Sequence, residues 1–200
     1  MRKLVFFLGP AGAGKTTLAK ALVRRRHAAL FDMDTLARPA SEAIMTLSGL
    51  DPNDRDSSVY KMRCRDLGYR ITMDAALENV DLGVNAFVIG PFTRELEDPV
   101  WPEKELLRIG ASLRDVDVKA ILVSLPGEQH YRERIRDRGL ALDAWKLDNW
   151  NEFSRSLAVR EIRWKLPASS ILSFDNAGPL SEEKLRQVER FIYGNESEDE

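Results

Sequence analysis

The stretch "FFLGPAGAGKTTLAK" covers Phe6–Lys20. An apolar run gives way to small residues, then to one lysine and two threonines. Gly9–Thr16 satisfies G-x-x-x-x-G-K-[ST]. A strand-like segment, Lys3–Leu8, precedes it, and a helix-like segment, Lys15–Arg25, follows, which is the context such a loop requires. Small residues let backbone N–H groups close around a polyphosphate. A helix N-terminus beneath them adds partial positive charge. The residues thus assigned to nucleotide binding are Gly9, Pro10, Ala11, Gly12, Ala13, Gly14, Lys15 and Thr16, with Thr17 beside the next phosphate. Lys15 is positioned for the terminal phosphates, and the Thr16 hydroxyl for Mg²⁺.

Moving outward, short apolar runs recur at Ala28–Phe31, Ala86–Ile89, Lys119–Ser124 and Ser170–Phe174. They are mostly non-alternating, as strands buried on both faces are. Longer mixed segments between them are long enough for helices. This alternation predicts an α/β fold with a parallel sheet covered on both sides. Pro102-Glu103 reads as the start of a helix carrying Leu106, Leu107 and Leu113, and Ser181 as the cap of another. Residues 1–193 read as one domain, and residues 194–200 as a frayed acidic tail.

The 200 residues carry 30 basic and 32 acidic side chains, so no basic face is advertised and nucleic-acid binding is not expected. The lone Cys64 excludes an internal disulfide and a cysteine zinc site, and reads as a small buried residue. No apolar run approaches the roughly 20 residues of a membrane helix, and a cytoplasmic protein is expected. Guanine is commonly read by Asn-Lys-x-Asp, which is missing here. ATP is therefore the expected nucleotide, and Asp175-Asn176-Ala177-Gly178 reads as a plain loop.

Asp32-Met33-Asp34 follows Leu30-Phe31. In a strand, positions i and i+2 point the same way. Both carboxylates would then project from the carboxyl edge of the sheet, where open α/β sheets bind ligands. One suits a magnesium shell and the other a proton from a substrate hydroxyl; the bland alternative is a helix cap near Thr35. The segment "YRERIRDRG" places Arg132 and Arg136 on one helical face and Arg134 and Arg138 on the nearly opposite one. Arg132 and Arg136 are taken as the pair that stabilises a transferring phosphoryl group. "LALDAWKLDNWNEF", residues 140–153, reads as a packed return arm. Residues 51–60 form a polar loop. Arg63 and Arg70, seven apart, are the candidates for an acidic group on the substrate. The third strand ends in Ile89-Gly90 with no acid, which speaks against a motor or AAA-type ATPase.

Together, Gly9–Thr16, Asp32-Met33-Asp34, Arg132–Arg138 and the chain length resemble the small P-loop kinases of metabolites. That group includes shikimate, gluconate and nucleoside-monophosphate kinases, chloramphenicol phosphotransferase and zeta-toxin-like enzymes. The resemblance implies a five-stranded sheet in the order 2-3-1-4-5 with a helical lid, here about residues 127–158. By the D-x-D pattern it implies Asp32 and Thr16 at the metal and Asp34 as the base that also touches substrate. The expected activity is transfer of a phosphoryl group from Mg-ATP to a hydroxyl of a small molecule, by a monomer or homodimer. The alternatives are a nucleoside-monophosphate-type kinase and a regulatory module that holds ATP without fast turnover.

Overall fold

A computed structural model describes residues 1–140, 143–158 and 160–194. Its centre is β1 (Arg2–Leu8), whose last five residues are buried. Leu4, Phe6 and Leu8 enter one core, and Val5 and Phe7 the other. This is the period-2 alternation of a strand covered on both faces. β2 (Ala29–Asp32), β3 (Ala86–Ile89), β4 (Val116–Ser124) and β5 (Ile171–Asp175) complete a sheet ordered β2-β3-β1-β4-β5. Every pairing is parallel. The order and the parallel register agree with the expectation.

Helices cover both faces. α1 (Lys15–Val23) buries Leu18, Ala19 and Leu22 beside Phe7, joined there by Val188 and Ile192 of α10 (Glu182–Tyr193). Between β2 and β3 lie α2 (Met33–Leu36), α3 (Arg38–Leu47), α4 (Ser58–Arg63) and α5 (Arg65–Asp81). Tyr69, Met73, Ala76, Leu77 and Val80 of α5 fill the opposite core. α6 (Trp101–Leu107) is shorter than its sequence promised: it buries Leu106, exposes Leu107, and has ended before Gly110 (φ 67°) and Leu113. Ser181 caps α10, accepting from the Lys184 amide at 3.3 Å. α7 (Glu128–Arg138) packs Tyr131 and Ile135 into the core of β1 and α1, and α8 (Ala144–Asp148) and α9 (Trp150–Phe153) follow it. Trp150 and Phe153 are buried in that same core, as a packed return arm requires. Cys64 is buried. Most of the segment read as an acidic tail, residues 195–200, lies outside the described residues.

The β1–α1 turn is backbone-tight. Gly9 has φ 127°, and a Cβ there would sit 2.2 Å from the Val123 carbonyl oxygen of β4. Backbone strain and overpacking each cost about 1–3 kcal/mol. Gly9→Ala is therefore expected to lower Tm by at least about 4 °C, which thermal denaturation of the ligand-free protein measures.

Candidate active site

The turn after β1 opens into a cavity of about 790 Å³ at the carboxyl edge of the sheet. Of the assigned loop residues, Gly9, Pro10, Ala11, Gly12, Gly14, Lys15, Thr16 and Thr17 line it, while Ala13 is buried behind. The Lys15 ammonium donates to the Pro10 carbonyl at 2.8 Å, curling back over the loop. Burial pulls its pKa down to about 8; Asp34 and then Asp32 oppose this, and Arg138 assists it. An incoming polyphosphate would favour the charged lysine. Nucleotide binding at pH 8.5 is therefore expected to take up a fraction of a proton, because Lys15 is partly neutral there without ligand. The nucleotide's own phosphate titrates near pH ~6 and contributes little at that pH. Calorimetry in buffers of different ionisation heat measures the uptake, and Lys15→Met should lose it.

Asp32 and Asp34 both line the cavity, but not as two residues of one strand. Asp32 ends β2 and caps α2, its Oδ1 accepting from the Asp34 amide at 3.0 Å. Asp34 sits in the first turn of α2. The strand-based argument for their shared direction is thus replaced by a strand–cap–helix turn. The other Asp32 oxygen, Oδ2, accepts from the Thr16 hydroxyl at 2.9 Å. A hydroxyl and a carboxylate at the mouth of the phosphate loop are the hard oxygen donors magnesium prefers, completed by substrate phosphates rather than a protein cage. No group of three or more acidic, histidine or cysteine ligands is found among the described residues.

The arginine faces of α7 are the reverse of the expectation. Arg132 lies over the Trp150 ring at 5.5 Å, and Arg136 pairs with Asp137 at 3.6 Å; both are exposed and neither lines the cavity. Arg134 and Arg138 line it instead. Arg134 donates to the carbonyls of Ala13 (3.3 Å), Asn176 (2.5 Å) and Gly178 (2.9 Å). Arg138 is held by Asp143, which is buried and also accepts from Lys146 at 3.1 Å. The signal was available: Tyr131 and Ile135 mark the core stripe of α7, and residues 134 and 138 flank that stripe. Alanine pairs should separate the faces. Arg134→Ala with Arg138→Ala is expected to lower turnover by about 10²-fold or more, and Arg132→Ala with Arg136→Ala by little, in steady-state assays with Tm as the folding control.

Arg63 and Arg70 do not reach the cavity either. Arg63 donates to the Ser48 hydroxyl at 2.6 Å, and Arg70 pairs with Glu105 at 2.9 Å and Asp74 at 2.8 Å. A spacing of seven sets two residues on one stripe only of an unbroken helix, and this segment breaks at Cys64 into α4 and α5. Arg55 and Arg65 line the cavity in their place. Gly90, Pro91 and Thr93, in the turn after β3, line it too, whereas Arg94 does not.

Asn176 belongs to the segment that reads as a plain loop in sequence. It is buried, and its Nδ2 donates to the Ala13 carbonyl at 2.8 Å, so the loop after β5 braces the phosphate loop. A Cβ on Gly14 (φ 91°) would strike that amide at 2.4 Å. Its place just after β5, at the carboxyl end of a strand, is the sequence signal for that role.

Residues 4–159 match a family model described as an AAA domain. The chain belongs to that family. The missing acid at the end of β3 therefore does not exclude an AAA domain. No curated protein matches the sequence. Among solved structures, this AAA domain is similar to a sugar kinase from Janibacter sp. HTCC2649, with 18% identity, a TM-score of 0.58, and 97% and 96% of the two chains covered. It is similar to the APS kinase of Mycobacterium tuberculosis, solved in complex with AMPPNP and APS, with 19% identity, a TM-score of 0.58 and coverage of 96% and 97%. It is also similar to a gluconokinase from Sinorhizobium meliloti, with 17% identity, a TM-score of 0.51 and coverage of 96% and 93%. The fold of this AAA domain is thus that of small-molecule P-loop kinases. No helix among its described residues is long and apolar enough to cross a membrane.

Proposed function

We propose that the protein is a phosphotransferase that moves the γ-phosphoryl group of Mg-ATP to a hydroxyl of a small molecule. The observation that carries this reading is one cavity lined by the phosphate loop, the Thr16–Asp32 pair, Asp34, and the Arg134–Arg138 face. In this reading Lys15 leaves the Pro10 carbonyl and binds the terminal phosphates. Thr16 and Asp32 would hold magnesium, which when bound would supply neutralisation of phosphate charge. Asp34 takes the acceptor's hydroxyl proton as that oxygen bonds to the γ-phosphorus and the bridging P–O bond to ADP breaks. Arg134 and Arg138 neutralise charge on the group in transit. Arg132, Arg136, Arg63 and Arg70 keep only structural roles.

ADP formation from Mg-ATP across a panel of hydroxylated metabolites tests this. Acceleration by one of them, with a phosphorylated product, is the expected outcome. Acceleration by nucleoside monophosphates alone would replace the acceptor assignment. A slow rate indifferent to every compound would leave a nucleotide-holding module.

A further inference from the structure

The arm that follows α7 buries a charge. Asp143 is 1% exposed. The chain turns back directly after Gly139, and the Asp143 amide donates to the Leu140 carbonyl at 2.9 Å, which returns this carboxylate onto Arg138. The ordinary use of an aspartate here would be to cap α8, whose first residue follows it. Asp143 makes no such cap bond. Its oxygens go to two cations instead. Oδ2 accepts from Arg138 Nε, and Oδ1 accepts from Arg138 Nη2 at 2.6 Å and from Lys146 Nζ at 3.1 Å. Lys146 is buried as well, and Asp56 stands 4.0 Å from its ammonium, beyond hydrogen-bond reach.

A buried ion pair adds little net stability, because desolvation offsets its attraction. What it does fix is direction. A guanidinium carries five N–H donors in one rigid plane. Gripped side-on through Nε and Nη2, Arg138 is held against turning, while its Nη1 has no partner among the described residues. Arg138 lines the cavity, and its charge is felt at Lys15. Lys146 holds the same carboxylate from within the arm, three residues along the chain.

We propose that Asp143 is the positioning residue of the lid: braced by Lys146, it clamps Arg138 side-on and presents the free Nη1 edge to the terminal phosphate of the nucleotide beside Lys15. That the phosphate lies there rests on the nucleotide-site reading above; the clamp rests on the contacts of Asp143.

Nucleotide binding tests it without any acceptor. The protein is titrated calorimetrically with Mg-AMPPNP and with Mg-ADP, and the ratio of the two affinities reports what the γ-phosphate gains. Arg138→Ala should lower that ratio by about tenfold, the scale of one charge-assisted hydrogen bond. Asp143→Asn should lower it by at least about threefold, although Arg138 is untouched. The direction is decisive. Loss of a carboxylate's repulsion alone would raise the ratio, because AMPPNP carries more negative charge than ADP. A role in stability alone would leave it unchanged. Both substitutions together should lower it no further than Arg138→Ala does, since one residue acts through the other. Asp143→Glu should recover part of the parent's ratio. Asp143→Asn with Lys146→Met removes one charge of each sign, and the same fall is expected of it where Asp143→Asn alone does not fold. A ratio unchanged or raised in the Asp143 variants, or losses that add to those of Arg138→Ala, would overturn the proposal. A ratio that falls as expected in a protein that phosphorylates no acceptor would retire the transferase reading and leave this one standing. Failure of both nucleotides to bind the parent would retire the nucleotide site and this proposal together.

Discussion

Lys15→Ala is expected to lower nucleotide-dependent turnover by at least about 10²–10³-fold, the scale of removing one preorganised charge stabiliser. Binding of ATP should weaken as well, because the small residues around Lys15 offer backbone dipoles but no second fixed charge within the loop. The fold should survive. In the folded protein the Lys15 pKa falls from 10.5 to about 8. For a lysine, a folded value below the unfolded one means that folding disfavours the charge. That penalty is fully present below pH 8 and fades as pH rises toward 10.5. Removing the group at neutral pH therefore removes a burden, and Tm should hold or rise. Calorimetric nucleotide titration, ADP-coupled assays and thermal denaturation on the same preparation check all three. A variant that binds and turns over ATP like the parent would sink the phosphate-loop assignment.

Asp34→Asn is expected to cut turnover by about 10²- to 10⁴-fold, the usual worth of a general base, with nucleotide affinity little changed. The substitution keeps volume and hydrogen-bonding capacity but takes away the proton acceptor. Asp32→Asn should behave differently. Its Oδ2 accepts from the Thr16 hydroxyl, so its loss should raise the magnesium concentration needed for half-maximal rate. Steady-state kinetics across a magnesium titration, with the acceptor found by the panel, separate the two. Near-normal turnover in Asp34→Asn would make Asp34 a substrate-positioning group and move the nucleoside-monophosphate-type reading ahead.

The parts of this protein that were legible in sequence are those governed by local rules. Phosphate-loop spacing, apolar strands and the capping serine of α10 each depend on a few neighbouring residues. The sheet order came through resemblance, and β2-β3-β1-β4-β5 agrees with it. What escaped depends on which way an element is turned by its packing. Tyr131 and Ile135 rotate α7 so that Arg134 and Arg138 face the cavity. A break at Cys64 separates α4 from α5 and takes Arg63 and Arg70 out of register. Arg55 was hidden in a polar loop where nothing local distinguishes a cavity wall from a solvated surface. Asn176 acts across a sequence distance of 163 residues to Ala13, which no motif spans.

The rooting of α7 also limits how this chain can be recombined with its structural relatives. Its Tyr131 and Ile135 are buried with Phe7 and Leu18, and a Cβ on Gly12 would already touch Ile135 at 3.0 Å. Arg134 ties the same helix to Ala13 and to the Asn176 turn. Phosphate loop, α7 and the turn after β5 are therefore one packed block. A chimera that exchanged all of residues 127–158 would carry away part of the core and unseat the nucleotide side. Gly139 (φ 60°), with nothing within 4 Å of where its Cβ would be, closes α7 in open space. Even a swap begun there would take Trp150 and Phe153 out of that core and Asp143 away from Arg138.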